Sequence, residues 1–236
     1  LISDMTRYFS VFATDNKHRK IKIIARYQQY LAANAVVNRV REGAVRKGLI
    51  WHFQGSGKSL LMVFTAQKLR ATSELGAPTV LIVVDRVDLD TQISGTFSAT
   101  DVSNVITTDS RQELQKLLKS GTRKIIITTI HKFAEANGVL DDRSNIIALV
   151  DEAHRTQEGR LGLDMREALP NAKFIGLTGT LGVTFNNFSS KNLFTKKAWD
   201  PLPMGDGQKL GLRIQSNGKA FRSYNFTFTE PWFGGI

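Results

Sequence analysis

Three stretches of the chain are continuously apolar where a surface strand would alternate: "TVLIVV" (79–84), "KIIITTI" (124–130) and "NIIALVDE" (145–152). Short runs rich in Val and Ile, with no polar residue at every second position, predict strands buried on both faces, as in the middle of a parallel sheet. "GLIWHF" (48–53) and "KFIGLTGT" (173–180) predict two more strands. Between them lie segments of helical period, "LLMVFTAQKLRATSE" (60–74) and "SRQELQKLLKS" (110–120). Strand alternating with helix predicts an α/β fold, a parallel sheet with helices on both faces. Ligands bind such sheets at the C-terminal ends of the strands, and polar and glycine residues follow each apolar run there.

The flanks read differently. In the basic stretch "NKHRKIKIIARYQQYLAANAVVNRVREGAVRKG" (16–48), Ile24, Tyr27, Leu31, Ala35 and Val36 recur at helical spacing, which predicts one amphipathic helix. Residues 181–236 hold seven of the fourteen Phe and seven of the nineteen Gly without helix–strand alternation, so this segment reads as an irregular extension. The expected organisation is a helical segment over 1–45, an α/β domain over 46–180 and the extension over 181–236.

Composition narrows the chemistry. With 236 residues, 42% of them hydrophobic, the chain can bury a core. It has no cysteine, which excludes disulfides and thiolate metal sites, and its four histidines are far apart in sequence, so no structural zinc is expected. No apolar run reaches the roughly 18–20 residues of a membrane span, and the N-terminus lacks a leader pattern, which predicts a cytosolic protein. The chain begins with Leu1 and not Met, as a piece of something longer would. A formal charge of +11 suits a polyanionic partner.

The candidate chemistry sits at the predicted strand ends. "WHFQGSGKSL" (51–60) ends in the second half of a phosphate-binding loop, with His52 where the usual pattern has glycine. The loop follows an apolar strand and opens a helix near Lys58, the context such a loop requires. Gly55, Ser56 and Gly57 would turn backbone N–H groups toward phosphates, Lys58 would reach the outer phosphates of ATP, and the Ser59 hydroxyl would ligate Mg²⁺. Further on, Asp151 and Glu152 directly follow a buried strand. Two adjacent carboxylates there suit a cation: Asp151 would hold Mg²⁺ through water while Glu152 orients or deprotonates the attacking water. Thr178 and Thr180, around Gly179, are hydroxyls at the same edge, though "TGT" is also an ordinary strand-to-turn sequence.

Taken in order, "ARYQQ", "WHFQGSGKS", "VVDRVDLDTQ", "TTIHKF", "DEAHR" and "LTGT" resemble the first motor domain of a superfamily 2 helicase. The likeness is greatest to the restriction (R) subunit of type I restriction–modification enzymes, where a histidine replaces the first loop glycine. The resemblance covers about residues 1–180. It implies a RecA-like sheet, a P-loop ATPase that translocates on double-stranded DNA, and assembly with modification (M) and specificity (S) subunits. It further implies that Gln28 or Gln29 recognises adenine and that His154, Thr178 and Thr180 couple the ATP site to DNA. "DRVDLDTQ", with Arg86, and "TTIHKF", with Thr129 and Lys132, would be loops facing the DNA backbone.

Blander readings stand beside these. Gln28 and Gln29 suit the polar face of a helix, His154 a hydrogen-bonded interior, Arg86 a helix start and Lys132 a solvated surface. The family usually has proline after "TGT", where this chain has Leu181. No acidic cluster with a trailing E-x-K marks a nuclease site. The rival functions are another superfamily 2 helicase or remodelling ATPase, and a non-catalytic DNA-binding or assembly module.

Overall fold

The structure is a computed structural model and describes residues 2–14, 19–44, 46–52, 55–84, 95–98, 100, 102–108, 110–134, 138–153, 160–199, 202–217 and 221–231. The chain divides into two compact units, one of Leu1–His52 with Ser56–Thr178, the other of Phe53–Gly55 with Gly179–Ile236.

The first unit opens with helix α1 (Ile2–Tyr8) and an antiparallel ribbon of β1 (Ser10–Thr14) and β2 (Lys20–Ile24), followed by helix α2 (Tyr27–Glu42). Strand β3 (Lys47–Trp51), helix α3 (Lys58–Ala71), strands β4 (Thr79–Val84) and β5 (Val105–Thr107), and helix α4 (Arg111–Lys119) come next. Strands β6 (Ile125–Thr129) and β7 (Ile146–Val150), helix α5 (Arg160–Ala168) and strand β8 (Lys173–Thr178) complete it. The six strands from β3 to β8 form one all-parallel sheet in the order β3-β8-β7-β4-β6-β5.

The continuously apolar runs are its middle strands, and every residue of β4, β6 and β7 is buried. Successive residues serve opposite faces. Val80, Ile82 and Val84 of β4, with Ile125, Ile127, Ile147 and Leu149, join the core beneath α2 and α3. Leu81 and Val83, with Ile126, Ala148 and Val150, join the core that holds Leu114 and Leu118 of α4 and Met165 and Ala168 of α5. Each such Ile or Leu contributes about 1.5–3 kcal/mol when fully buried. Strand β3 lies at an edge and alternates exposed with half-buried positions, which is why its run is weaker.

Two expectations for the N-terminal segment are corrected. Within the basic stretch Lys20–Ile24 form β2, Ile24 included, and the helix starts only at Tyr27. Within α2 the buried face is Gln29, Ala33, Val36, Val37 and Val40; Tyr27, Leu31 and Ala35 lie on the exposed side. Small side chains at positions 33, 36, 37 and 40 let α2 pack onto its neighbours, and larger residues on the other face misled the pattern.

The second unit replaces the expected irregular extension with a regular antiparallel meander, β9 (Thr180–Phe188), β10 (Gln208–Asn217) and β11 (Phe221–Thr229). Tyr224, Phe226 and Phe228 do alternate along β11, but they are exposed, so no buried face marks the strand in sequence.

A polar staple joins the N-terminal helices. Lys68 of α3 donates to both carboxylate oxygens of Asp4 in α1, at 2.9 and 2.7 Å, and to Asn34 Oδ1 of α2 at 2.6 Å. Its ammonium also stands 5.1 Å from the Phe9 ring centroid and 5.6 Å from that of Tyr8. Removing the carboxylate leaves a largely buried cation with one of its three hydrogen bonds, so Asp4→Ala should cost about 2 kcal/mol of stability. Urea denaturation of the two proteins measures this; equal midpoints would show that the staple contributes nothing.

Candidate functional site

Register brings the ends of β3, β8, β7, β4 and β6 to one edge of the sheet: Trp51 stands opposite Thr178, Val83 opposite Val150, and Val84 opposite Thr129. The His52 N–H donates to the Thr178 carbonyl at 2.8 Å and carries the β3–β8 pairing one residue further. Helix α3 then begins at Lys58, behind Gly57 in a left-handed conformation with φ 84°. Gly55 is also left-handed, at φ 79°. Gly57 is confined twice over, because a Cβ there would also lie 2.5 Å from Gln29 Nε2. The first turn of α3 therefore presents backbone N–H groups and the positive end of a helix dipole, with Lys58 and Ser59 beside them.

Gln29 holds this loop. Its Oε1 accepts the Arg26 N–H at 2.8 Å, the returning half of a capping box that starts α2. Its Nε2 donates to the Gly57 carbonyl at 3.0 Å and toward the Ser56 carbonyl at 3.4 Å. Both ends of the amide are engaged, and the residue is only 2% exposed. Gln28, by contrast, is exposed.

His52 is buried and its Nδ1 hydrogen-bonds the Ser56 hydroxyl across the loop. Burial, and then the nearby Lys58 charge, lower its pKa below the ordinary histidine value, so the ring is held neutral. The side chain that replaces the usual glycine thus braces the loop from within.

The acidic pair lies across the edge. The Asp151 N–H donates to the Val83 carbonyl at 2.8 Å, extending the β7–β4 pairing, and its carboxylate accepts the Glu152 N–H at 3.0 Å. Glu152 has φ 46°, a left-handed conformation that costs a non-glycine residue of order 1 kcal/mol and recurs at functional sites. From there Glu152 Oε1 meets Lys58 Nζ at 2.6 Å, with side chains 24% and 11% exposed respectively. A cation on a phosphate-loop helix and a carboxylate after a buried strand are brought together from 94 residues apart.

The family model described as SWI2/SNF2 ATPase matches residues 28–198, well over half of the chain. The chain belongs to the SWI2/SNF2 ATPase family. Among curated relatives it is 40% identical, over 203 residues, to the type I restriction enzyme HindI endonuclease subunit of Haemophilus influenzae, covering 75% of this chain and 19% of that protein. It is 39% identical, over 176 residues, to the putative type I restriction enzyme MjaIXP endonuclease subunit of Methanocaldococcus jannaschii, covering 69% of this chain and 17% of that one. A Staphylococcus saprophyticus type I restriction enzyme endonuclease subunit is 32% identical over 182 residues, 75% of this chain and 19% of the relative. The chain thus spans about a fifth of the length of these relatives. The likeness to type I restriction R subunits seen in the sequence motifs holds at the level of whole-segment similarity.

The remaining candidate residues of this SWI2/SNF2 ATPase are placed unevenly. Thr178 is buried at the end of β8, and Thr180 opens β9 in the second unit. Thr129 is buried at the end of β6, and the Thr128 hydroxyl beside it has no hydrogen-bond partner among the described residues. Lys132, in the short helical turn after β6, donates to the Thr108 carbonyl and so is tethered to the protein. Arg86 and His154 lie outside the described residues. Two features escaped sequence reading, the Gln29 clamp and the His52–Ser56 brace. Neither has a linear signal, since each depends on which residue the fold brings to the loop.

The depressed His52 pKa has a stability consequence. The unfolded chain takes up a proton below about pH 6.5, where the folded ring resists it. The contribution is therefore present above that pH and is lost as pH falls through the lower folded value. Urea unfolding at pH 7.5 and 5.5 should show a larger loss for the wild type than for His52→Gln. Equal losses would mean that His52 titrates freely.

Proposed function

We propose that this chain is the nucleotide-binding motor segment of a type I restriction enzyme R subunit and uses ATP hydrolysis to move along double-stranded DNA. The observation that carries the reading is the meeting of Lys58, in the first turn of α3, with Glu152, beside Asp151 at the end of β7. A buried strand end would not carry two carboxylates opposite a helix-start lysine for packing alone. The Ser59 hydroxyl and the Asp151 carboxylate are hard oxygen donors suited to Mg²⁺, which dehydrates reluctantly and takes few protein ligands. Among the described residues no group of three His, Asp or Glu gathers to form a complete site. A metal that arrives bound to a nucleotide needs only this partial set, and when bound it spreads the charge of the transferring phosphoryl group.

The chain's own residues do the rest. Backbone N–H groups of the loop and of the first turn of α3 bind phosphate oxygens, Ser56 and Gly57 lying where the loop turns. Lys58 leaves Glu152 for the outer phosphates, and Glu152, relieved of its partner, orients the attacking water and accepts its proton. Gln28 is the side chain free to read adenine, because Gln29 is committed to the loop. His154, Thr178 and Thr180 would pass the state of the γ-phosphate to DNA, which Arg86, Thr129 and Lys132 would face. Modification and specificity subunits would be the partners, in the cytoplasm. Among the described residues no helix is long and apolar enough to cross a membrane.

Lys58→Ala should weaken Mg·ATP binding at least tenfold by calorimetry, and unchanged affinity would remove Lys58 from the site. Glu152→Gln in the full-length R subunit separates binding from chemistry. The amide keeps the shape and releases Lys58, so ATP affinity should hold or rise while turnover falls about 10²–10⁴-fold. Near-normal turnover would place the base elsewhere.

A further inference from the structure

We infer that the β1–β2 ribbon is a second DNA-contacting surface, one that grips the sugar–phosphate backbone through Lys20 and Lys22. The ribbon has two unlike faces. Val11 and Ala13 are buried, and Val11 and Ile23 pack into the core beneath α2 and α3. On the other face the register sets Phe12 opposite Lys22 and Thr14 opposite Lys20, and all four are exposed. Phe12 is 49% exposed, with the Lys22 ammonium 5.9 Å from its ring centroid. Arg19 adjoins Lys20 and is exposed too, and the described ribbon residues include no carboxylate. A face with Lys20 and Lys22 beside one ring, and no acid among its described residues, complements a polyanion bearing apolar sugars.

Placement supports the same partner. Ala13 pairs as an isolated bridge with Thr100, in the connection that runs from the C-terminal end of β4 to β5. Two residues beyond β2, helix α2 begins, and its Gln29 clamps the phosphate loop. The ribbon is therefore fastened both to the crossover leaving β4 and to the helix that sets the nucleotide loop. Of the described loop residues expected to face DNA, Thr129 is buried and Lys132 is tethered to Thr108, whereas Lys20 and Lys22 of the ribbon are exposed. The inference rests on the reading of the chain as a DNA motor.

The test is the salt dependence of duplex-DNA binding by the 236-residue chain, followed by fluorescence anisotropy, for wild type, Lys20→Gln/Lys22→Gln and Lys20→Arg/Lys22→Arg. Loss of two phosphate contacts should lower the slope of log affinity against log salt by about 1.8 and weaken binding about ten- to a hundredfold near 0.1 M salt. The arginine variant should retain both. Wild-type binding that the glutamine variant matches would overturn the ribbon surface alone, as would an acidic protein partner being lost while DNA binding stays. A wild-type chain that binds no DNA would overturn the motor reading and the ribbon with it. If the glutamine variant melts early, acetylation of wild-type lysines with and without duplex decides: protection of Lys20 and Lys22 supports the surface, and equal labelling overturns it.

Discussion

The amide of Gln29 is the interaction on which the nucleotide edge depends. It ties the first turn of α2 to the carbonyls of Ser56 and Gly57 while its oxygen receives the Arg26 N–H. A phosphate loop must keep its N–H groups turned outward, so its carbonyls must turn inward, where each needs a donor. Gln29 supplies one from a helix that is itself part of the core. A Cβ at Gly57 would lie 2.5 Å from its Nε2 and force the amide to shift, and the left-handed turn there delivers Lys58 and Ser59 to the edge. His52 completes the bracing from the other side through Ser56.

A second constraint is electrostatic. Lys58 and Glu152 are mostly buried and would each be costly alone; together they offset much of that cost. The pair joins α3 to the end of β7, at the place where a triphosphate would need a cation and a water would need a base. Glu152 also holds a left-handed backbone, a strained conformation that recurs at functional sites. On the proposed reading, nucleotide binding would exchange Glu152 for phosphate as the partner of Lys58.

Much of this was legible in the sequence, for physical reasons. Strands buried on both faces cannot alternate, so β4, β6 and β7 announced themselves, and the polar residues after β7 and β8 fall along one edge of the sheet. Gly57 and Lys58 carried a loop pattern that only one backbone geometry satisfies. What stayed hidden depends on tertiary choice. Helix α2 buries its small residues and one glutamine and leaves Tyr27 and Leu31 exposed, against the usual rule for an amphipathic helix. The ribbon's Lys and Ile residues fit a helix as well as a strand until Val11 and Ile23 find the core. In the meander, β11 exposes Tyr224, Phe226 and Phe228, so their alternation marked no buried face. The resemblance leaves Gln28 or Gln29 as the adenine reader, because sequence cannot show that the Gln29 amide is engaged within the protein.

That last distinction is open to direct measurement. Calorimetry of wild type and Gln29→Ala with Mg·ATP and with Mg·tripolyphosphate, which has no adenine, separates a loop clamp from a base contact. The clamp predicts that both ligands lose affinity by a similar factor, about tenfold or more for a lost buried hydrogen-bonding group. If ATP weakens while tripolyphosphate binds as before, Gln29 reads the base and the loop is held by something else.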